Sequence, residues 1–280
     1  MNLGSALDIV RSQGPVSGDP LTIALVCGFT PLHLSTFVRA HLIKRFPERP
    51  VEVQTGLFDD IPGSLQRIAS DRPELALVVL EWADLDPRLS LRRLGSWDPA
   101  QLDDILTGAA ARLGEFERLL GQAGTRTSVA LTLPTLPLPP VSHATTYEDD
   151  GFKLDLRGHL AEFARRVVRI RGVHCLDHER LDRASPAGER LDPAMELRAG
   201  FPYTRSHAAT LAGLLVELAC PAPRKKGLIS DLDNTLWRGI LGEIGASGVS
   251  WDLDSRSQIH GLYQRLLAAL GASGVLMAVA

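Results

Sequence analysis

The sequence has 280 residues, 45% of them apolar, and its 30 basic and 33 acidic side chains give a formal charge of −3. This length can form a sizeable core and favours two domains. The charges are balanced and the arginines are scattered, which argues against nucleic acid as a partner. The N-terminus lacks the pattern of a signal peptide, and no later segment has about 18 uncharged apolar residues. We therefore expect a cytoplasmic protein with no membrane partner.

The first 220 residues alternate between short apolar runs and amphipathic segments. Gly, Pro, Ser and Asp within residues 11–20 place the first ordered element at Leu21, after a loose N-terminal arm of residues 1–20. Five apolar runs then have the character of strands: TIALVCGF, VEVQTGLF, LALVVLEW, TSVALTLP and GVHCLD. Strands that alternate with helices in this way predict an α/β fold, with a doubly wound parallel sheet over residues 21–220.

Two connections in this region are distinctive. A long helix is predicted from Asp98 to Leu120, with Asp98 as its N-cap and Pro99 in its first turn. After the fourth strand, the segment PTLPLPPVSHATTYEDDG must be a long loop, because its prolines cannot continue a ladder of strand hydrogen bonds. Long loops next to a parallel sheet are often functional.

A second domain is predicted after a linker of residues 221–226. The segment CPAPRKK breaks the preceding helix with two prolines and a basic cluster, as linkers often do. Residues 227–280 then hold the strand GLISDLD, an amphipathic helix and the apolar strand GVLMAVA. One βαβ unit of this size can bury only a thin core.

The motif DLDNTLW, residues 231–237, places two carboxylates and a threonine at the carboxyl end of a buried strand. Open α/β sheets bind their ligands at that end of the strands. A carboxylate such as Asp231 can attack phosphorus when a bound Mg²⁺ masks the charge of the phosphate. A second carboxylate, Asp233, can protonate the leaving group and later activate water, while Thr235 holds the geometry.

The longer segment KKGLISDLDNTLWRGILGEIGASGVSW, residues 225–251, resembles the first motif of the haloacid dehalogenase (HAD) superfamily. It is most similar to the FkbH-like branch, whose members typically read DLDNTLWGG followed by a GE pair. In that branch a degenerate SGNH-hydrolase-like domain precedes the phosphatase-like domain. The resemblance therefore implies an SGNH/flavodoxin-like sheet in residues 21–220, followed by the start of a Rossmann-like HAD domain.

The resemblance also implies a role for each residue of the motif. Asp231 would be the nucleophile and a Mg²⁺ ligand, Asp233 the general acid/base and a ligand through its backbone carbonyl, and Thr235 a substrate-supporting residue. Arg238 departs from the family pattern, in which glycine is usual. The Ser/Thr of the family's second motif, its lysine and its last metal-binding acid follow the strand that GVLMAVA resembles. We therefore expect residues 227–280 to be only the N-terminal part of a HAD domain.

The SGNH resemblance implies a second candidate site. Gly28, Phe29 and Thr30 occupy the place of the family's GDS turn, and the segment Thr204–His207 occupies the place of its DxxH motif. Gly28, Thr30 and His207 are thus candidate substrate-binding residues, and Tyr203 could line the same pocket. A triad without its usual nucleophile and orienting acid loses most of its rate, so a scaffold or docking role is favoured over esterase activity.

Three weaker candidates complete the set of possible sites. His174 and His178 are four residues apart, but they fall on a strand and the loop after it, which disfavours a shared metal. Asp177 could reach the cleft at Gly28 or could cap a turn. Cys27 could serve a thioester step, although a buried cysteine is usually a small hydrophobe. The three cysteines lack disulfide or metal spacing.

The resemblance implies a Mg²⁺-dependent HAD-type phosphoryl-transfer or phosphatase protein. FkbH-like proteins are associated with preparing a glyceryl-type acyl unit from a phosphorylated glycerate for an acyl carrier protein, in natural-product or polysaccharide biosynthesis. The expected partners are the phosphorylated small molecule and the carrier protein or a biosynthetic partner enzyme. The alternative is a non-catalytic docking module with an inert HAD segment, and an SGNH-type esterase or acyltransferase is a weaker alternative.

Overall fold

The chain forms two compact units in a computed structural model that describes residues 1–14, 16–92, 99–139, 148–222 and 225–280. The first unit is Met1–Pro221 and the second is Ala222–Ala280. Across these described ranges, no helix has both the length and the apolar character that a membrane span requires.

A five-stranded parallel sheet forms the centre of the first unit. Its strands are β1 (Leu21–Cys27), β2 (Val51–Thr55), β3 (Leu75–Val79), β4 (Ser128–Thr132) and β5 (Val173–Cys175). They are arranged in the order β2-β1-β3-β4-β5, and every pairing is parallel. The chain therefore reverses its direction of winding between β1 and β3, which makes their carboxyl ends the expected ligand crevice.

Helices cover both faces of this sheet. They are α1 (Leu3–Ser12), α2 (Leu32–Arg45), α3 (Ile61–Asp71), α4 (Trp82–Leu85), α5 (Leu102–Ala123), α6 (Gly151–Val167), α7 (His178–Ala184), α8 (Pro193–Ala199) and α9 (Arg205–Ala219). One apolar core joins α1, α2 and α9 to the sheet, and a second joins α3, α5 and α6 to its opposite face. Alternate residues of β3 enter the two cores: Leu75, Leu77 and Val79 the first, Ala76 and Val78 the second. This arrangement confirms the predicted α/β fold with a doubly wound parallel sheet.

Two local expectations differ from the structure. The sequence predicts a loose arm over residues 1–20, whereas residues 3–12 form α1, with Asn2 as N-cap and Ala6 buried in the first core. The apolar face of α1 packs against the unit, which gives a short segment the tertiary support it needs. The long helix α5 begins at Leu102, after a 3-10 turn at Pro99–Gln101, and the predicted cap Asp98 lies outside the described residues.

The second unit contains a two-stranded parallel sheet and two helices. Strands β6 (Gly227–Ser230) and β7 (Leu276–Val279) pair in parallel, and α10 (Leu241–Ile244) and α11 (Gln258–Ala272) lie between them in the chain. Its apolar side chains are largely uncovered: Ile229 is 72% and Leu276 73% exposed. Ser230, at the carboxyl end of β6, is buried, and it leads directly into the exposed Asp231.

We predict that Gly172→Ala destabilises the first unit by about 2 kcal/mol, because Gly172 has a φ of +80° and an added Cβ would overlap the Gly124 carbonyl. Gly158 is the matched control, since it lies exposed within α6 and a Cβ added there would meet open space. Gly158→Ala should raise stability by about 0.5 to 1 kcal/mol. Chemical denaturation of both variants measures the difference, and equal effects would contradict the assignment of Gly172.

Candidate functional site

The motif of the second unit begins where β6 ends. Asp231 follows Ser230 directly and is exposed, and one of its carboxylate oxygens, Oδ1, accepts the Leu232 N–H at 2.8 Å. Asp233 is half-buried, and its Oδ1 accepts hydrogen bonds from Trp237 Nε1 at 3.1 Å and from the Leu241 N–H at 3.0 Å. The first carboxylate is thus open to solvent, while the second is held in one orientation by its neighbours.

Side chains of α11 brace the loop that contains Thr235. His260 Nδ1 donates to the Thr235 carbonyl at 2.9 Å, and Gln264 Nε2 donates to the Leu236 carbonyl at 2.5 Å. The loop turns at Asn234, whose φ of +55° lies in the left-handed region that asparagine tolerates. These contacts hold the residues after Asp231 in a defined turn without using either carboxylate oxygen of Asp231.

The donor atoms of this loop fit a magnesium ion. Mg²⁺ prefers oxygen ligands, and proteins usually hold it with one or two carboxylates while water and substrate phosphate complete its shell. Asp231 and Asp233 supply carboxylate and carbonyl oxygens two residues apart. Within the described parts of the chain, no three His, Cys, Asp or Glu side chains cluster as a ready-made metal site. The Asp231 carboxylate and the Asp233 carbonyl would be the ligands that this motif offers to Mg²⁺.

A buried carboxylate, Glu81, organises the carboxyl edge of the first unit's sheet. Glu81 follows β3 and is 4% exposed. It accepts hydrogen bonds from the Thr135 N–H and hydroxyl, from the Leu136 N–H and from the Tyr203 hydroxyl. The shortest two, from the Thr135 and Tyr203 hydroxyls, are both 2.6 Å. Glu81 thereby joins the end of β3 to the loop after β4 and to the segment before α9.

His207 continues this network into the core. Its ring is fully buried, with Nε2 lying 3.0 Å from Thr135 Oγ1 and Nδ1 lying 2.9 Å from Ser185 Oγ. Because the Thr135 hydroxyl donates to Glu81, we assign the proton of His207 to Nε2, and the Ser185 hydroxyl then donates to Nδ1. Burial, and secondarily the charge of Arg190, lowers the pKa of His207 to about 3. His207 is a neutral structural residue.

This geometry corrects the expected roles of His207 and Tyr203. The sequence places them with Thr30 around one pocket, whereas His207 and Tyr203 lie inside the core with their polar atoms already paired. The Thr30 N–H donates to the Gly200 carbonyl at 2.9 Å, and the binding role of the Thr30 side chain stays a prediction. The ring of Tyr203 packs edge-on against both Phe29 and His207. The described atoms therefore contain no nucleophile–base pair between Thr30 and His207.

A cavity of about 500 Å³ does lie at this edge of the sheet. Its lining comes from the segments that follow β1, β2, β3 and β4 and from α8 with its flanking residues, and it includes Gly28, one of the predicted binding residues. The charged side chains in the lining are Asp59, Glu81, Asp84, Arg92 and Glu196. Its apolar wall includes Phe29, Phe58, Trp82, Leu89, Leu136 and Leu138. We call this space the switch-point pocket, because it lies where the winding of the sheet reverses.

Gly28 and Asp84 approach each other closely in the wall of the switch-point pocket. A Cβ on Gly28 would overlap Asp84 Oδ1, so glycine is required for this contact. The other oxygen, Asp84 Oδ2, accepts the Glu81 N–H at 2.7 Å. Burial raises the pKa of Asp84 to about 8, with further increases from the charges of Glu81 and Asp59. Two carboxyl groups thus lie side by side behind an apolar pocket.

The remaining sequence candidates occupy structural positions. Cys27 is buried, its thiol donates to the Phe29 carbonyl at 3.2 Å, and burial raises its pKa to about 12, which disfavours a thiolate nucleophile. Asp177 is the N-cap of α7 and accepts the Glu179 N–H at 3.0 Å. His174 lies on β5 and His178 begins α7, so no helical i, i+4 pair forms.

Sequence reasoning missed Glu81 and Asp84, which are central to the first unit. A signal was present, since Glu81 comes two residues after the end of the fully buried strand β3, much as Asp231 follows β6. No comparable pattern in the sequence marks Arg190 as a structural residue. It is 2% exposed, pairs with Asp182 and donates to the carbonyls of Ser185 and Thr135. Its partners lie between five and 55 residues away in the chain, so only the folded structure reveals the cluster.

Comparisons with known proteins support the fold. No protein-family model matches the sequence, and no curated protein matches it either. A solved structure of the N-terminal part of a Bacteroides fragilis protein, which contains a phosphatase domain and is complexed with Mg, is similar with a TM-score of 0.71 and 15% identity. The match covers 100% of this chain and 73% of that one. At this identity the likeness establishes a shared fold.

A second solved structure is more distant. It is a candidate GDSL-like lipase from Parabacteroides merdae, with 10% identity and a TM-score of 0.39 over 73% of this chain and 97% of that one. A likeness this weak supports no conclusion about the chemistry of the first unit.

The titration of Glu81 gives a testable pH dependence. Burial raises the pKa of Glu81 to about 7 from an ordinary value of 4.5, although its hydrogen-bond donors favour the ionised form. Its protonated form therefore stabilises the fold fully below pH 4.5, and this contribution is lost as the pH rises through 7. Between about pH 5 and pH 8, wild type should lose about 2 to 3 kcal/mol of stability relative to Glu81→Gln.

Urea unfolding followed by tryptophan fluorescence at the two pH values measures this difference. Glu52→Gln is the control, because Glu52 is exposed on β2 and its removal should not alter the pH dependence. A constant gap between wild type and Glu81→Gln across this range would show that Glu81 has the same proton affinity in the folded and unfolded chains.

Proposed function

We propose that the chain contains the nucleophile segment of a Mg²⁺-dependent phosphoryl-transfer protein of the FkbH-like branch of the HAD superfamily. The observation that supports this most directly is the position of Asp231, an exposed carboxylate at the carboxyl end of a parallel strand. Asp233, two residues further on, is held by two N–H donors, as a positioned acid/base would be. The sequence resemblance over residues 225–251 supplies the family.

The chemistry follows from these two carboxylates. Asp231 attacks the phosphorus atom of the substrate, forming an aspartyl-phosphate while the bond from phosphorus to the leaving oxygen breaks. Asp233 donates a proton to that oxygen and afterwards takes one from the water that hydrolyses the aspartyl-phosphate. A Mg²⁺ bound by the Asp231 carboxylate and the Asp233 carbonyl would offset the charge of the phosphate. Thr235 and the amides of the turn position the phosphate oxygens.

The substrate and partner proposals rest on the resemblance. We propose a phosphorylated glycerate that carries both an acyl phosphate and a phosphate ester as the substrate, and an acyl carrier protein as the acceptor of the glyceryl unit. The carrier thiol attacks the acyl carbon and the phosphate of the acyl phosphate leaves, while Asp231 takes the phosphoryl group of the ester. The fold likeness to a structure that contains a phosphatase domain with Mg supports the general class of reaction. A biosynthetic partner enzyme could take the place of the carrier protein.

The first unit has a docking or binding role in this proposal. Its cavity is large enough for a small molecule. His207 is not available as a catalytic base there, because both of its ring nitrogens form hydrogen bonds in the core. Esterase or acyltransferase activity at Thr30 and His207 is not supported, because the described contacts of these two residues do not join them.

The test measures phosphate release from a bisphosphoglycerate by the chain with Mg²⁺ and a carrier protein, with the mass of the carrier recorded in the same mixture. Asp231→Asn should lower phosphate release by about a hundredfold or more, because the amide cannot act as the nucleophile. Chelation of Mg²⁺ should have a similar effect. Asp254→Asn is the matched control, since Asp254 is an exposed aspartate of the same unit outside the motif.

The outcomes separate the two functional classes. Mg²⁺-dependent release that Asp231→Asn abolishes and Asp254→Asn preserves supports phosphoryl transfer. Binding of the carrier protein without any change in its mass, equally in wild type and Asp231→Asn, supports the docking module instead.

A further inference from the structure

The switch-point pocket has the size and lining of a small-molecule site. Its volume of about 500 Å³ lies within the usual range for such sites, roughly 300 to 1,000 Å³. Apolar side chains from the segments after β3 and β4 form much of its wall, among them Trp82, Leu136 and Leu138. The Trp82 ring is fixed in the wall, because its Nε1 donates to the Leu136 carbonyl at 2.7 Å. An apolar molecule could therefore enter a largely preformed space.

The ionisable side chains in the described lining are mostly acidic. Asp59, Glu81, Asp84 and Glu196 line the pocket, and Arg92 is the cation in this part of the lining. Arg92 is already engaged: its Nε donates to Glu196 Oε1 at 2.8 Å and its Nη2 to the Gly200 carbonyl at 3.3 Å. Its guanidinium also lies 5.2 Å from the centre of the Phe58 ring. A negatively charged ligand would meet repulsion here.

Two carboxylate oxygens at this pocket accept no hydrogen bond from the described residues. Glu196 is only 7% exposed, and its Oε2 is buried and receives no hydrogen bond from the described residues. A buried acceptor without a donor destabilises the empty state, and the pocket is the open space that Glu196 lines. Asp84 Oδ2 accepts the Glu81 N–H, while Oδ1 faces Gly28 in the pocket wall and accepts nothing from the described chain.

We propose that the switch-point pocket binds an organic ammonium, that is, a molecule with an apolar body and a protonated amine that donates to Asp84 and Glu196. The apolar body would lie against Trp82 and the leucines of the loop after β4. An ammonium group would supply hydrogen-bond donors to these two carboxyl groups and a positive charge beside the acidic side chains. This site is separate from the phosphoryl-transfer motif and does not depend on that proposal.

Binding should release a proton near neutral pH. The pKa of Asp84 is raised to about 8 by burial and by the charges of Glu81 and Asp59, while Arg112 of α5 opposes this shift. Asp84 is therefore mostly protonated in the empty pocket at neutral pH, and a neighbouring ammonium favours its ionised form. Lysine and arginine side chains are absent from the described lining except for Arg92.

The test compares three probes that share one apolar body: 4-phenylbutylamine, 4-phenylbutanol and 4-phenylbutyrate. Isothermal titration calorimetry with the full chain at about pH 7 should show the amine binding about tenfold more tightly than the alcohol and the carboxylate binding weakest. Repeating the amine titration in phosphate and in Tris should reveal about one released proton, which disappears at about pH 9.

Two variants and a control locate the site. Asp84→Asn and Glu196→Gln should each reduce the preference for the amine over the alcohol several-fold, while Glu52→Gln, an exposed carboxylate on β2, should leave it unchanged. Circular dichroism verifies that each variant is folded, and the comparison of the three probes on wild type needs no variant.

The proposal is overturned if 4-phenylbutyrate binds as tightly as the amine. It is also overturned if no probe binds at millimolar concentration, or if the amine preference survives both substitutions.

Discussion

The buried carboxylate of Glu81 is the interaction on which the carboxyl edge of the first unit's sheet depends. It lies two residues after β3, accepts hydrogen bonds from the loop after β4, and accepts another from the hydroxyl of Tyr203 in the segment before α9. Removing a carboxylate from water is costly, and donors from distant parts of the chain that converge on Glu81 offset part of this cost, although burial still raises its pKa to about 7. Because the buried Glu81 requires these hydrogen-bond donors, the ends of β3 and β4 and the start of α9 must meet around it.

The same constraint explains why the first unit has a pocket without a hydrolytic triad among its described residues. Thr135 lies between Glu81 and His207, and the imidazole is held between Thr135 and Ser185, beneath the surface. A histidine in that position is a poor proton acceptor, since burial lowers its pKa to about 3. The open volume lies on the other side of Glu81, where Asp84 and Glu196 face it. The polar side chains of Glu81, Thr135 and His207 therefore connect the elements of the first unit to one another.

The two units present opposite environments for ligands. In the second unit, Asp231 is solvated and a neighbouring carbonyl oxygen is two residues away, which suits a hydrated divalent cation and a phosphate. In the first unit, carboxyl groups stand among apolar side chains, so uncompensated negative charge is destabilised and a phosphate would be excluded. The two proposals together assign an anionic substrate to the Asp231 motif and a cationic ligand with an apolar body to the switch-point pocket.

The sequence alone determined the order and type of the main elements, because buried parallel strands are continuous apolar runs and the helices between them have an apolar stripe. It also identified Asp231, Asp233 and Thr235 as candidates, since these residues are close together in the chain and follow a strand. Only the tertiary structure decided the roles of Glu81, His207 and Arg190, whose hydrogen-bond partners lie as far as 122 residues away, the separation of Glu81 and Tyr203. A local pattern specifies strand ends, but which side chains meet there depends on strand order and on the desolvation of each polar group, and neither is encoded within a short segment.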